Sequence, residues 1–512
     1  NHIDAIQNWW GSPNGPNQPG ADTVNGDVDF SSWLTTCPPL SSPTPTPSPS
    51  PNTPIVFLPG MGGSWNTADL ISGNTGGVWK KTPFIKVYDN LKNTFLSAGY
   101  SEGDDYFEFY YDWRRPVETL ADKLNDYITN VVLVGKDPDA KINLVGHSLG
   151  GLVSRAYGQK YGEDKINQLV TTGSPHQGAI RPYLLWAGAQ IDDHLSWEWL
   201  GFELYLHLHQ RRFASPVTAV RTLNPSLENL LPIFDFAKNS SNEIIPVDSM
   251  ETINDYLNQL RDDLTTGLTD LITTIAGAQT ETVEWINLGD RSIADRLLNR
   301  WPDGRPTEFD YTNDGDATVL TKSALIDDTD QTTIANSHQD LVQTPAGIGA
   351  ILSSLGIIAT PQTGNEQPSR NPGLFFLLHS PAEITVTAPD GGQAGFNVGS
   401  PMPNTFYSPE DKLLLIYNAL AGEYQTEITG TGDGEYQLDI GQLTDEGEFW
   451  SSLVDEISPG ATDGWTVNFN PTQPITDPVI DETGKSKIDQ AKLRLEQLKT
   501  QTKPKLTVYL NQ

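Results

Sequence analysis

The sequence predicts an α/β protein in which a mostly parallel β-sheet is covered by helices, followed by a small all-β domain. Between residues 55 and about 360, apolar runs of strand length alternate with stretches of helical periodicity, as in parallel sheets with helical crossovers. In GHSLG, residues 146–150, a serine lies between two glycines where an apolar run ends and a helical pattern begins. From residue 373, alternating strands with Gly-rich turns predict a β-sandwich.

The chain is too long for one ordinary domain, with 512 residues and a mass of 56.1 kDa. Residues 38–54, PPLSSPTPTPSPSPNTP, are too rich in proline and serine to form a core and predict an extended tether. The predicted boundaries are 1–36 (N-terminal segment), 37–53 (linker), 54–360 (main α/β domain), 361–372 (second linker), 373–475 (β-sandwich) and 476–512 (C-terminal helix and strand).

The N-terminal segment, with NWWG, NGDVDF and SSWL, resembles the last coil of a right-handed parallel β-helix. A single coil of a solenoid cannot bury its own face. We therefore expect either that further coils precede residue 1 in a longer product or that this segment packs on its neighbour.

The net charge of −33 argues against nucleic-acid binding, which needs a basic surface. No stretch approaches the length and hydropathy of a membrane span. Cys37 is the single cysteine, so an internal disulfide is excluded.

Ser148 is the predicted nucleophile. Ile142, Leu144 and Val145 indicate a buried strand before it, and Leu149, Leu152, Val153 and Tyr157 suit one face of a helix after it. Gly146 and Gly150 stand where side chains would crowd a strand that turns directly into a helix. This is the nucleophile-elbow arrangement of α/β-hydrolases.

A nucleophilic serine needs a histidine as base and a carboxylate to orient that histidine. In the order Ser, Asp, His, only His338 and His379 of the eight histidines lie late enough, and His379 falls inside the predicted sandwich. His338 is therefore our candidate base. For the acid, NDGDATV offers Asp316 as first choice and Asp314 as second, while Asp290 is a third candidate.

Oxyanion stabilisation needs a second backbone N–H group besides the one after the serine. The Gly-rich turn in FLPGMGGS supplies Met61, so the N–H groups of Met61 and Leu149 are the candidates. A phosphate loop is excluded because no Lys-Ser/Thr follows. His147 is expected to pack or to donate a hydrogen bond. His207 and His209 lack a third ligand of matching spacing, so we predict neither a metal nor a cofactor.

Seven collinear motifs resemble the lecithin:cholesterol acyltransferase branch of α/β-hydrolase lipases over residues 54 to about 356. They are FLPGMGGS, FYYDWRRP, LVGHSLGGL, TTGSPHQGA, NPSLENLLP, NDGDATV and SHQDLVQTPAGIGAIL. The resemblance implies a Ser148–Asp316–His338 triad, Met61 and Leu149 as oxyanion donors, and a cap over the acyl pocket at about residues 180–282. Because the cysteines of secreted animal members are absent, it points to an extracellular or cell-surface bacterial enzyme.

Aromatic residues are dense in the predicted cap, and we name Trp186, Trp197 and Trp199 as candidate contacts to an acyl chain. The expected activity is hydrolysis of hydrophobic carboxylic esters, including polyesters, at a lipid interface or polymer surface. Acyl transfer or phospholipase chemistry with the same triad is the first alternative, and a non-catalytic surface-binding protein is the second. We expect residues 54–360 alone to cleave small soluble esters.

Overall fold

The computed structural model describes residues 52–191, 196–368, 371–379, 381–444, 447–472 and 479–481, with a few positions among the first 32. The chain divides into two compact units, Asn1–Asn52 and Thr53–Gln512. In the first unit, strands β1 (Ile3–Asp4) and β2 (Val28–Asp29) pair in parallel. The rest of the predicted coil and almost all of the first linker lie outside the described residues, so the β-helix stays a prediction.

The second unit begins with the α/β region that carries the serine turn. Its first elements are β3 (Ile55–Leu58), β4 (Ser64–Trp65), α1 (Thr67–Ser72), β5 (Lys80–Lys81), α2 (Asp89–Ser97), β6 (Tyr106–Glu108), α3 (Val117–Tyr127), β7 (Ile142–His147), α4 (Leu149–Tyr161) and β8 (Ile166–Thr172). A short π-helix, Ile128–Val132, extends α3.

The helix-rich segment that follows corresponds to the predicted cap. It contains α5 (Arg181–Gly188), α6 (Trp197–His209), α7 (Pro216–Leu223), β9 (Ala237–Lys238), β10 (Ile244–Ile245), α8 (Asp255–Asp262) and α9 (Thr266–Thr269), with 3₁₀ turns at Gln210–Arg212, Pro225–Leu230 and Val247–Ser249. None of the described helices is long and apolar enough to cross a bilayer.

The chain then returns to the main sheet and ends the α/β region with two short helices. These elements are β11 (Ile272–Gly277), β12 (Thr282–Gly289), α10 (Ile293–Leu297), β13 (Arg305–Thr312), α11 (Thr321–Ala324), β14 (Asp330–Ile334), α12 (Asp340–Gln343) and α13 (Pro345–Ser354).

The main sheet has six parallel strands in the order β14-β11-β8-β7-β3-β6. Helices cover it, so strands such as β3 are buried on both faces and consist of consecutive apolar residues. Parallel strands end at one edge of a sheet, and the segments after β3, β7, β11 and β14 therefore meet there. This is the α/β-hydrolase fold that the sequence predicts.

The predicted cap boundary at residue 282 is wrong, because β11 is an inner strand of the main sheet. The chain leaves the main sheet in two separate segments. Residues 180–271 form the first part, and the β12–β13 hairpin joins β9 and β10 in a separate four-stranded sheet. The return to the sheet at β11 was hidden because ITTIAG is short and lies between helical patterns.

The C-terminal strands form a β-sandwich of two antiparallel five-stranded sheets. Its strands are β15 (Gly373–His379), β16 (Ala382–Thr387), β17 (Gln393–Gly395), β18 (Thr405–Ser408), β19 (Leu413–Tyr417), β20 (Gly422–Gly430), β21 (Gly434–Thr444), β22 (Gly447–Ile457), β23 (Thr462–Phe469) and β24 (Val479–Asp481). The sheet orders are β18-β19-β15-β21-β22 and β17-β16-β20-β23-β24. Strand β24 lies in the stretch predicted as C-terminal helix and strand; residues 482–512 are outside the described part.

In one sheet of the sandwich, strands β15 and β19 are buried on both faces. Leu374, Phe376 and Leu414 belong to the sandwich core, whereas the alternate residues Phe375 and Leu415 belong to the core of the α/β region. The sandwich therefore packs on the α/β region through one face of its strands β15 and β19. Burial on both sides explains why GLFFLLH and LLLIY are continuously apolar.

Candidate active site

Ser148 occupies a sharp turn between β7 and α4. Its φ of 53° and ψ of −125° are costly for a residue with a side chain, by about 1–3 kcal/mol. The turn depends on the flanking glycines, since a Cβ on Gly150 would lie 2.3 Å from the carbonyl oxygen of Leu58, and one on Gly146 would lie 2.4 Å from the Cα of Gly151. Neighbouring backbone thus holds the serine in this conformation.

Asp316 and His338 form a buried pair. The Nδ1 atom of His338 lies 2.8 Å from Oδ2 of Asp316, and the two residues are 6% and 0% exposed. The other carboxylate oxygen, Oδ1, accepts hydrogen bonds from the N–H groups of Thr318 and Val319 at 2.9 and 2.7 Å. Because the ionised carboxylate only accepts, Nδ1 carries the proton and Nε2 is left as the basic nitrogen.

The charge on Asp316 also controls the protonation of His338. Burial lowers the pKa of His338, but the carboxylate of Asp316 and its hydrogen bond outweigh burial, and the net pKa is raised. The carboxylate of Glu198, in cap helix α6, raises this pKa further.

Two glycines pack against the Asp316–His338 pair. A Cβ on Gly277, the last residue of β11, would lie 2.6 Å from Cβ of Asp316. A Cβ on Gly173, after β8, would lie 3.1 Å from Nδ1 of His338 and 3.2 Å from Oδ2 of Asp316. Because these two strand ends have no side chains, Asp316 and His338 can pack directly against the backbone of the sheet.

Ser148, Asp316 and His338 line one cavity of about 150 Å³. Met61 and Leu149, the two candidate oxyanion donors, line the same cavity. Leu149 is the first residue of α4, so its N–H belongs to the first turn, where helix N–H groups lack partners within the helix. Trp199 and Glu198 reach the cavity from α6.

The alternative acid and base candidates lie elsewhere. Asp314 is exposed, and its backbone oxygen accepts the N–H of Thr321. Asp290 is exposed just beyond β12. His379 lies at the end of β15, with Nε2 3.0 Å from Oδ2 of Asp439.

The three named tryptophans are placed differently. Trp199 lines the cavity with Ser148. Trp186 lines a second cavity instead, where the guanidinium of Arg221 lies 5.3 Å from its ring. Trp186 is not among the residues that line the cavity of Ser148, so its contact with an acyl chain stays a prediction. Trp197 begins α6, but its side chain lies outside the described residues.

His147 connects the two loops that carry the candidate donors and base. Its Nε2–H donates to the carbonyl oxygen of His338 at 3.1 Å, so Nδ1 is the acceptor and receives the O–H of Tyr88 at 3.1 Å. The Tyr88 oxygen in turn accepts the N–H of Gly60, next to Met61, at 2.9 Å. Burial and the proximity of His338 lower the pKa of His147 well below its usual value, which keeps this imidazole neutral.

Cap helix α6 is held by three parts of the molecule. At its start, a Cβ on Gly62 would lie 2.5 Å from the carbonyl oxygen of Glu198, so the cap backbone rests on the loop that contains Met61. At its end, His209 donates from Nε2 to the carbonyl oxygen of Leu70 at 2.9 Å. His207 stacks on Trp450 of the sandwich, with ring centroids 3.9 Å apart and planes at 12°.

His207 and His209 thus contact different elements. Burial lowers the pKa of His207 to about 4. Among the described residues, no group of three or more His, Cys, Asp and Glu side chains is arranged to hold a metal ion.

The predicted second linker, 361–372, is a packed segment. The backbone oxygen of Gln367 accepts from Nε2 of Gln339, the residue after His338, at 2.8 Å, and its side chain accepts the N–H of Lys86 at 3.0 Å. Nε2 of Gln367 donates to the hydroxyl of Tyr417 in the sandwich at 2.9 Å. Sequence reasoning missed Gln367, Tyr417 and Tyr88, since isolated polar residues outside a motif carry no recognisable signal.

One family model matches part of the chain. Residues 50–199 match the PGAP1-like alpha/beta domain. A GPI inositol-deacylase of Debaryomyces hansenii is 29% identical over 140 residues, which cover 25% of this chain and 13% of that protein. The family match includes Met61, Ser148 and Leu149 and ends before Asp316 and His338. It supports a lipase-like α/β-hydrolase; the lecithin:cholesterol acyltransferase branch remains an expectation.

Several solved structures share the fold at low similarity. The mature lipase BlEst2 of Bacillus licheniformis is 14% identical, with a TM-score of 0.32, over 60% of this chain and 93% of that chain. Phospholipase PlaB from Legionella pneumophila is 10% identical, with a TM-score of 0.32, over 79% of this chain and 91% of that chain. A chain of the Tle4–Tli4 complex is 14% identical, with a TM-score of 0.38, over 59% of this chain and 98% of that chain.

Proposed function

We propose that this protein is a serine hydrolase of carboxylic esters, with Ser148 as nucleophile, His338 as general base and Asp316 as its orienting carboxylate. The observation that carries this proposal is the buried Asp316–His338 pair in one cavity with a serine on a strained strand-to-helix turn. A surface carboxylate and histidine would need neither burial nor two backbone donors to fix the carboxylate.

The reaction proceeds in two halves. Nε2 of His338 takes the proton of the Ser148 hydroxyl as Oγ attacks the ester carbonyl carbon. The backbone N–H groups of Met61 and Leu149 stabilise the oxyanion of the tetrahedral intermediate. The intermediate collapses, His338 returns the proton to the leaving alcohol, and acyl-Ser148 remains. Water, deprotonated by His338, then releases the carboxylic acid and regenerates Ser148.

The proposed substrates are esters with an apolar acyl group. Trp199, Leu230 and Val319 give the cavity apolar walls. The name of the Debaryomyces hansenii relative, GPI inositol-deacylase, supports an acyl ester as the substrate class. Phospholipids and polyesters are the extensions that a substrate panel must test.

The direct test is Ser148→Ala assayed on p-nitrophenyl butyrate. Loss of a triad nucleophile lowers turnover by about a millionfold, so activity should become undetectable while circular dichroism stays unchanged. Residual activity within tenfold of the parent would exclude Ser148.

A fluorophosphonate probe should label the parent and Ser196→Ala, which removes another cavity hydroxyl, but not Ser148→Ala. Absence of any labelling would favour a non-catalytic surface-binding protein.

Trp199→Ala tests the acyl pocket. Each buried methylene of substrate contributes about 0.8 kcal/mol, so loss of this wall should lower kcat/KM more for C12 than for C4 esters. An equal loss on both esters, with a lower melting temperature, would reduce Trp199 to a packing role.

Acyl transfer to an alcohol is the second candidate function. It is favoured by the burial of His338 beneath α6, because restricted access of water lets a bound alcohol compete for the acyl group. Product analysis with and without a long-chain alcohol distinguishes the two: a new ester indicates transfer, and free acid alone indicates hydrolysis.

A further inference from the structure

The surface around α10 exposes aliphatic side chains. Ile293 and Leu297 are 79% and 81% exposed, and Leu298 is 36% exposed. Ile293 and Leu297 are four residues apart and therefore lie on the same face of the helix. Three neighbouring large aliphatic side chains in water are costly for a surface without a partner.

The same segment is the most arginine-rich part of the chain. Arg291, Arg296, Arg300 and Arg305 fall within 15 residues of a protein whose net charge is −33. In the described part of the chain, the Nε atoms of Arg291 and Arg300 are buried without a hydrogen-bond partner. Arg296 is exposed.

Two acidic residues of this segment, Asp295 and Asp303, interact with other groups of the protein. Asp295 is buried in a capping box with Ser292 and lies 3.6 Å from Arg305. Asp303 accepts hydrogen bonds from the N–H of Glu251 at 2.5 Å and from the hydroxyl of Tyr183 at 3.4 Å. Over residues 290–305 four arginines thus stand beside three aspartates, of which Asp290 is exposed.

A polar cavity of about 390 Å³ adjoins this segment. Arg291 and Asn299 line it from the α10 side, and Arg221 lines it from the cap. Glu228 and Glu251 also line it and interact with the charge of Arg221. Arg300 also interacts with the charge of Asp295. Arg291 and Arg300 are half-buried, whereas Arg296 is exposed and accessible to an external anion.

A buried tryptophan fixes the segment to the cap. Asn299 and Trp301 both have φ of 56°, which is unfavourable for residues with side chains. This turn places the Trp301 ring on Gly188, whose Cβ would lie 1.9 Å from it, and the N–H of Trp301 donates to the carbonyl oxygen of Ala187 at 2.7 Å. The turn at Asn299–Trp301 thus buries Trp301, while the aliphatic side chains of α10 stay exposed to solvent.

We propose that Ile293, Leu297 and Leu298, with Arg291, Arg296 and Arg300, form a docking surface for an anionic lipid bilayer. The aliphatic side chains enter the interface and the guanidinium groups bind lipid phosphates, a combination that suits peripheral membrane binding. Binding through this surface does not depend on the proposed ester hydrolysis.

Helix α5 contacts the segment that carries the docking surface at one end and lines the cavity of Ser148 at the other. Trp301 packs on the last turn of α5, and Arg181 and Pro182, at its first turn, line the cavity with Ser148. About 10 Å of helix separates the two ends. A bilayer bound at α10 therefore lies beside the element that borders the proposed acyl site.

Vesicle sedimentation with the full chain tests this proposal. The parent protein should bind 1:1 phosphatidylcholine/phosphatidylglycerol vesicles more tightly than pure phosphatidylcholine vesicles, and added NaCl should weaken the binding. Ile293→Glu with Leu297→Glu should lower the partition coefficient at least about tenfold. The matched control, Val78→Glu with Ile358→Glu, changes side chains that are 79% and 101% exposed elsewhere and should bind like the parent.

A second pair of variants tests the arginines. Arg296→Gln with Arg300→Gln should weaken binding to the anionic vesicles about tenfold and leave binding to pure phosphatidylcholine almost unchanged. Turnover of p-nitrophenyl butyrate should match the parent in every variant, so a failure of docking is separated from a failure of the proposed chemistry.

Three results would overturn the proposal. The parent could fail to sediment with either vesicle, the α10 variants could bind as tightly as the parent, or binding could be insensitive to lipid charge and salt. Light scattering addresses a second copy of this chain as the occupant: a dimer that Ile293→Glu with Leu297→Glu dissociates would assign the surface to self-association instead.

Discussion

At the scale of single residues, the site depends on one carboxylate held more firmly than its neighbour. Asp316 binds two backbone N–H groups and His338, whereas Asp314, two residues earlier, is exposed. Sequence order restricted the acid to a few aspartates, and the NDGDATV motif favoured Asp316. The contacts that distinguish it arise only where the 313–320 loop folds over the end of β11.

Asp316→Asn is expected to lower kcat by about 10⁴, the scale reported when a triad histidine loses its orienting carboxylate. The amide presents a donor to Nδ1 and favours the wrong tautomer of His338. Asp314→Asn is the matched control and should change kcat little. Steady-state kinetics on p-nitrophenyl butyrate make the comparison, and the opposite ranking would move the acid to Asp314.

Glu198→Gln is expected to shift the acidic limb of the pH profile to lower pH. The proposed mechanism needs neutral His338, so activity should fall as pH decreases through the pKa of His338, and the carboxylate of Glu198 raises that pKa. Removing the negative charge lowers the pKa, and the enzyme stays active at lower pH. Glu228→Gln, in the second cavity, serves as control for kcat/KM measured from pH 5 to 9. An unshifted limb in Glu198→Gln would contradict the coupling.

At the scale of elements, α6 of the cap contacts both the loop that contains Met61 and the sandwich. Its start contacts Gly62 and its end stacks His207 on Trp450. The Trp450 ring lies so close to the backbone of β21 that a Cβ on Gly441 would be 2.5 Å away. The sandwich thus helps to hold the helix that carries Glu198 and Trp199.

Trp450→Ala is expected to lower the free energy of unfolding by about 2 kcal/mol and to lower kcat/KM. The end of α6 loses its stacking partner, so Trp199 and Glu198 are held less firmly over the cavity. Trp450→Phe should restore most of both quantities, because it keeps an aromatic ring. Trp285→Ala, a partly buried tryptophan in the β12–β13 hairpin, controls for a general loss of stability. A stability loss with unchanged kcat/KM would show that the sandwich does not position α6.

At the scale of the whole molecule, the α/β region and the sandwich share one core. Phe375, Leu377, Leu413 and Leu415 pack in the same apolar cluster as residues of the main sheet. This arrangement reverses the sequence-based expectation that residues 54–360 work alone, since that fragment would expose the surface beneath the sandwich.

We therefore expect residues 53–481 to unfold in a single calorimetric transition, and the 54–360 fragment to aggregate or to lose most of its esterase activity. Apolar surface that the sandwich covers in the intact chain would face water in the fragment. Scanning calorimetry and size-exclusion chromatography make the comparison. A soluble, fully active fragment, or two separate transitions, would show that the two regions are independent.

The sequence by itself determined the α/β class, the serine turn and the β-sandwich, because each follows from local patterns of apolar and glycine residues. Order along the chain left His338 and His379 as candidate bases, and the predicted sandwich favoured His338. Only the tertiary structure decided what depends on distant contacts. Examples are the return of the chain to the sheet at β11, the separate cavity at Trp186, and the relay from Gly60 through Tyr88 and His147 to His338. The packed segment at Gln367 and the sandwich face buried on the α/β region belong to the same group. A residue's neighbours along the chain specify its local conformation, but they do not specify which distant side chains will cover it.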